Sequence, residues 1–156
     1  MKAKKSLGQN FLTSIPARIA IVNAGNLTSE DTVLEIGPGR GFLTQGLLET
    51  GANVIALEKD RELLPVLTEQ FSNYKNFTLI EGDALEFDPS TFHLKPITYK
   101  LIANIPYYIT GAILSRYLSH IHQPTQMVVL VQQEVAERVV ARDNKESILS
   151  LAVKVY

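Results

Sequence analysis

Asn104-Ile105-Pro106-Tyr107 puts an amide, a fixed carbonyl and an aromatic ring within four residues. Pro106 biases Ile105 toward extended backbone, so the loop is stiff and its carbonyls point in fixed directions. An amide oxygen beside such a carbonyl makes a pair of acceptors, which matches the two hydrogens of an exocyclic aromatic amine such as adenine N6. That amine is a poor nucleophile because its lone pair is delocalised into the ring. Two acceptors on its hydrogens favour a more tetrahedral nitrogen whose lone pair can attack. The ring of Tyr107 offers a face for an unstacked base, a contact of about 1–3 kcal/mol. The structural alternative is a proline turn with a packed tyrosine.

A second group of residues suits a nucleoside carrier. Gly37, Gly39 and Gly41 in VLEIGPGRGFL form a G-x-G-x-G turn that opens a helix, where glycine permits positive φ and close approach of backbone amides. A dinucleotide fingerprint would need a small residue at position 42, where Phe42 stands, which counts against a pyrophosphate cofactor. Glu58 lies 21 positions after Gly37, at a strand end where a carboxylate accepts from ribose hydroxyls. It also sits in the charged run Glu58–Glu62, where it would be a solvated carboxylate instead. Asp83, in EGDAL, is an acceptor for an adenine amine or a helix cap for the residues after it. Together these features describe an adenosine carrier without phosphates, and S-adenosylmethionine fits that description.

The elements that must position these residues follow from apolar rhythm. Thr32–Ile36, Asn53–Glu58, Thr78–Glu81, Lys100–Ala103 and Gln126–Val131 are rich in Val, Ile and Leu with little alternation, the pattern of parallel strands buried on both faces. Ile15–Ala24 reads as an amphipathic helix, and Leu43–Glu49, Glu62–Phe71, Ile113–Ser119 and Glu134–Ala141 carry helical spacing. Ile148–Tyr156 reads as a further strand. The expected fold is α/β: a Rossmann-like, doubly wound, mainly parallel sheet with ligands at the carboxyl ends of its strands.

Bulk composition narrows the class. A chain of 156 residues fits one domain. It has no cysteine, and its three histidines lie far from these motifs, so no metal centre is expected. No apolar run approaches the roughly 20 residues of a membrane helix, and the basic N-terminus leads into no secretory signal. A soluble, cytoplasmic protein with no membrane association is therefore expected. Lys plus Arg number 15 against 16 Asp plus Glu, so any nucleic-acid surface must be local. Lys2, Lys4, Lys5, Arg40, Arg116, Arg138 and Arg142 are its candidates; each is otherwise a solvated charge.

GQNFL, EIGPGRG, ALEKD, EGDA, NIPY and QQEVAERV stand in this order in the chain. In that set it resembles the ribosomal RNA adenine N6,N6-dimethyltransferases: bacterial small-subunit enzymes, their eukaryotic relatives and the macrolide-resistance methylases. The resemblance implies a class I S-adenosylmethionine-dependent methyltransferase that dimethylates N6 of adenosines in small-subunit ribosomal RNA during ribosome biogenesis. Its partner would be ribosomal RNA or the small ribosomal subunit. It further implies that Asn10 and Leu12 close over the methionine part of the donor, with Gly37 and Gly39 touching it through their backbone. Glu58 would hold ribose, Asp83 adenine, and Asn104 would lie between donor and target amine, with Pro106 and Tyr107 completing the catalytic loop. Tyr108 departs from the family pattern, where Asn is frequent. Members of the family usually continue into a small helical RNA-binding domain that is absent from these residues, so residues 1–156 read as the donor-binding catalytic domain, expected to bind RNA weakly. Rival readings are a macrolide-resistance-type methylase of large-subunit RNA, an adenine-N6 DNA methyltransferase with an Asn-Pro-Pro-Tyr loop, and an inactive donor-binding module.

Overall fold

Short runs of Val, Ile and Leu gather into one sheet, and the segments between them supply its covering helices. A computed structural model of the chain describes residues 12–96, 98–131 and 136–137. In chain order it has α1 (Ile15–Gly25), β1 (Thr32–Ile36), α2 (Phe42–Leu48), β2 (Asn53–Glu58), α3 (Leu64–Gln70) and β3 (Phe77–Glu81). After these come β4 (Lys100–Asn104), α4 (Thr110–Ser119) and β5 (Gln126–Leu130). Single 3-10 turns at Pro89–Phe92 and Tyr107–Ile109 precede β4 and α4. Every strand pairing is parallel and the order is β3-β2-β1-β4-β5, the doubly wound arrangement expected.

Uninterrupted apolar strands make sense only where both faces are covered. The three inner strands obey this: Val33, Leu34, Val54, Leu101 and Ile102 are all wholly buried. The outer strands do not. β3 has only half-buried and exposed positions, and β5 is half-buried throughout. Their apolar composition overstated their burial because each has a paired neighbour on one side only among the described residues. Two apolar clusters lie on the two faces, one built on Leu34, Ile36 and Leu57 beneath α4, the other on Val33 and Val54 beneath α2 and α3.

The helix ends differ from expectation in instructive ways. α4 begins three residues earlier than its apolar spacing suggests, because the 3-10 turn feeds straight into it and the Thr110 hydroxyl donates to the Pro106 carbonyl at 3.3 Å. α1 is capped by the Ser14 hydroxyl, which accepts from the Ala17 amide. It is not cleanly amphipathic, however. Ile21 and Gly25 are buried while Ile15 and Ile19 stay 57% and 51% exposed. Of Glu134–Ala141 only residues 136–137 are described, as helix, and Ile148–Tyr156 lies outside the described residues. Among the described residues no helix is long and apolar enough to cross a membrane.

Candidate active site

Sheet register assembles the site. Ile36, the last residue of β1, pairs with Leu57 on one side and Ala103 on the other. Glu58 and Asn104 therefore stand one step further out, on the two strands that flank the glycine turn. The Gly37 amide donates to the Leu57 carbonyl at 3.0 Å, and the Gly82 amide to the Glu58 carbonyl at 2.9 Å, so the loops after β1 and β3 are anchored to the end of β2. Between β1 and β4 the chain changes direction across the sheet, the place where such folds form a ligand crevice. A cleft of about 200 Å³ opens there. Gly37, Gly39, Glu58, Asp83, Asn104 and Pro106 all line it, together with Leu12. Tyr107 opens the 3-10 turn beyond Pro106. Asn10 lies outside the described residues.

The glycines serve different purposes. All three have positive φ, 69° at Gly37, 59° at Gly39 and 76° at Gly41. A Cβ on Gly37 would meet nothing within 4 Å, so this backbone faces open space where a ligand can approach. A Cβ on Gly41 would come within 2.6 Å of the Phe71 ring, so that glycine is needed for packing. Phe71 is held in turn against Phe77, with ring centroids 4.9 Å apart.

Glu58 is 6% exposed, not a solvated member of its charged run. Its Oε2 accepts from the Gly39 amide at 3.1 Å and its Oε1 from the Asp60 amide at 2.8 Å. Burial raises its pKa and these backbone donors pull against that rise. Each oxygen keeps a lone pair for a further donor.

Asp83 takes up one of the two roles its sequence context left open, the local cap, and adds an ion pair. Its Oδ1 accepts from the Leu85 amide at 2.9 Å, a local cap. Its Oδ2 is 2.6 Å from Lys59 Nζ. The Lys59 hydrogen bond, then the Leu85 amide, hold the Asp83 carboxyl below its ordinary pKa. α4 fixes the loop behind it: Tyr117 donates its hydroxyl to the Ala84 carbonyl at 3.1 Å, and Arg116 Nη2 donates to the Phe87 carbonyl at 2.7 Å. Arg116 is thus a half-buried tie to the loop after β3 and not a freely solvated charge. Arg40 is exposed and lines the cleft. The other five basic candidates lie outside the described residues.

Lys59, to which motif reading assigned no role, and Tyr108, whose role in the loop it left open, also line the cleft. Exposed side chains at strand-end loops leave no periodic signal, so only their proximity reveals them. Tyr108 is 57% exposed at this position. Ile36, Leu57, Leu85 and Ile109 supply apolar lining. Among the described residues no group of three or more His, Asp or Glu side chains is placed to hold a metal ion.

Glu35 is the site's electrostatic anomaly. It is wholly buried in the middle of the sheet, and neither carboxylate oxygen has a hydrogen-bond partner. Burial pushes its pKa up to about 8; the nearby Thr44 hydroxyl, not quite in hydrogen-bonding position, moderates this and the Glu58 charge adds to it. The fold therefore binds this proton more tightly than the unfolded chain does. The associated stability is fully present below the ordinary glutamate pKa and is lost as pH rises toward 8. Glu35→Gln should leave the melting temperature unchanged at pH 4 and raise it by several degrees at pH 8.5, at about 2–4 °C per kcal/mol. Thermal melts of the two proteins at those pH values check this; equal melting curves at pH 8.5 would contradict it.

Known proteins place this cleft in a family. The family model for ribosomal RNA adenine dimethylase matches residues 1–156. The chain is 45% identical, over its whole length, to a protein of Dehalococcoides mccartyi named ribosomal RNA small subunit methyltransferase A, covering 54% of that protein. It is 42% identical over 99% of its length to the protein of the same name from Clostridium botulinum, covering 56% of it. The chain therefore spans about half the length of the curated relatives it matches. Among solved structures it resembles a dimethyladenosine transferase from Plasmodium falciparum, with a TM-score of 0.81, 30% identity, and 94% of this chain and 53% of that one covered. The 23S rRNA methyltransferase ErmE is similar at a TM-score of 0.78 and 29% identity, over 91% of this chain and 56% of that one. With its glycine turn, Glu58, Asp83 and Asn104 gathered at one end of a parallel sheet, the chain belongs to the ribosomal RNA adenine dimethylase family.

Proposed function

We propose that this chain is the donor-binding and catalytic part of an S-adenosylmethionine-dependent enzyme that dimethylates N6 of adenosines in small-subunit ribosomal RNA. The observation that carries the reading is the register placing Glu58 and Asn104 on either side of the glycine turn, so that a nucleoside grip and an amine clamp face one cleft. The residues suit the donor. Gly37 presents open backbone, Glu58 has lone pairs for two ribose hydroxyls, and Asp83 supplies an acceptor for an adenine amine. Apolar Ile36, Leu57 and Leu85 line the same cleft. Asn10 and Leu12 would close over the methionine end.

When bound, the donor supplies an electrophilic methyl group on a sulfonium. The chain's own residues supply geometry. The Asn104 side-chain oxygen and the Ile105 carbonyl accept the two N6 hydrogens, and Pro106 keeps that carbonyl fixed. Tyr107 receives the base, which must leave its stack to reach the loop. The proton leaves after methyl transfer, so no general base is required. Alignment of amine and methyl is the main source of rate, worth roughly 7–11 kcal/mol where orientation is good. Location in the cytoplasm, with the ribosome, goes with this substrate.

The small-subunit target is favoured over the large-subunit one by the 45% and 42% identical relatives, both named for the small subunit. The test incubates the chain with labelled donor and small-subunit RNA, large-subunit RNA or duplex DNA, and reads nucleosides by mass spectrometry. N6,N6-dimethyladenosine from small-subunit RNA is the expected product. Label confined to large-subunit RNA, or to DNA, would replace this reading by one of its rivals.

A further inference from the structure

We propose that Lys59 is a gate at the purine end of the donor site, whose ammonium crowds one atom, Oδ2 of Asp83, against the donor's exocyclic amine. The inference rests on the donor-binding reading above and concerns a residue to which that reading gives no part.

Three observations carry it. Lys59 and Asp83 both line the cleft, and Nζ lies 2.6 Å from Oδ2. The other oxygen, Oδ1, is already bound to the Leu85 amide at 2.9 Å, and the Asp83 carbonyl accepts from the Glu86 and Phe87 amides at 3.0 and 2.9 Å. The carboxylate cannot rotate to present a fresh oxygen without breaking that turn, which Tyr117 and Arg116 clamp from behind. An amine that reaches Oδ2 therefore shares it with a cation, which takes one of its lone pairs and repels the amine's hydrogens. The Lys59 side chain is 62% exposed, so it can swing away, and the Glu86 carboxylate acts on its charge from nearby.

The gate is a light one. Exposed ion pairs contribute about 0.2–1 kcal/mol, so displacing Lys59 weakens donor binding up to about fivefold. The same arrangement makes a prediction about ligand chemistry that simple bulk would not. A purine with an amine at C6 brings a second donor to the oxygen that Lys59 holds and is hindered by its charge. A purine with a carbonyl at C6 has no amine there to offer Asp83, and that carbonyl can accept from the ammonium.

Calorimetry on the parent and Lys59→Met, which keeps the aliphatic stem, tests this with two probes. S-adenosylhomocysteine should bind the variant about two- to fivefold more tightly at low salt. S-inosylhomocysteine, its deaminated form, should bind the variant more weakly. Raising salt should tighten S-adenosylhomocysteine on the parent by screening the ion pair, and leave the variant unchanged. Unchanged or weaker S-adenosylhomocysteine binding by the variant, or the same direction of change for both probes, overturns the gate and leaves the proposed function standing. A parent chain that binds no S-adenosylhomocysteine overturns both.

Discussion

Asn104→Ala is expected to lower the methyl-transfer rate by about 10²–10³-fold, the usual cost of deleting one preorganised polar group that acts on the reacting centre. Asn104 is the last residue of β4, paired with Leu130 of β5, so its backbone is fixed by the ladder. Its neighbour Ile105 is buried at 6% exposure, which anchors the loop from the other side. The side chain can then be removed without moving the strand, and the loss falls on the chemical step. Affinity for S-adenosylhomocysteine should drop by much less than the rate, because ribose and adenine are held elsewhere. Single-turnover assays with nucleoside mass spectrometry, alongside calorimetry, separate the two. A variant that methylates as fast as the parent removes Asn104 from catalysis.

Glu58→Ala should act on the other half of the site. Two hydrogen bonds from ribose to a charged carboxylate, each worth about 1.5–3 kcal/mol, correspond to a loss of donor affinity of about 100-fold or more. The alanine also strips the Gly39 amide of its acceptor, loosening the turn against which the donor would lie. Burial raises the Glu58 pKa, and only the ionised carboxylate accepts from both hydroxyls. Affinity in the parent should therefore fall as pH drops through a value above the ordinary glutamate range, and Glu58→Ala should lack that dependence. Calorimetric titrations with S-adenosylhomocysteine across acidic to neutral pH read both effects. A loss under tenfold, with the pH dependence retained, would show that Glu58 does not hold the ribose.

Much of the candidate site was legible because its residues sit at strand ends, and strand ends can be read from apolar runs. The runs ending at Ile36, Glu58 and Glu81 locate three loops at one edge of the sheet, and a parallel order follows from their lack of alternation. Less legible were effects that depend on what packs behind a residue. Nothing local in TVLEI distinguishes Glu35 from an exposed carboxylate; its isolation comes from the helices that cover the sheet. Gly41 looks equivalent to Gly37 until the Phe71 ring is placed beneath it. Arg116 looks like a surface cation until its guanidinium is found on the Phe87 carbonyl.

The amino-acid order alone determined the strand-turn-helix rhythm, the glycine turn, the acidic residues at the next two strand ends and the stiff Asn-Ile-Pro-Tyr loop. Each of these depends on interactions within a few residues: steric limits on φ, proline geometry and side-chain period. Tertiary structure decided which of the carboxylates is buried and that a lysine sits on one oxygen of Asp83. Those outcomes depend on atoms 20 to 30 positions apart brought into contact, with Lys59 and Asp83 separated by 24. Burial and charge pairing at such distances follow from the packed sheet, and no local pattern encodes them.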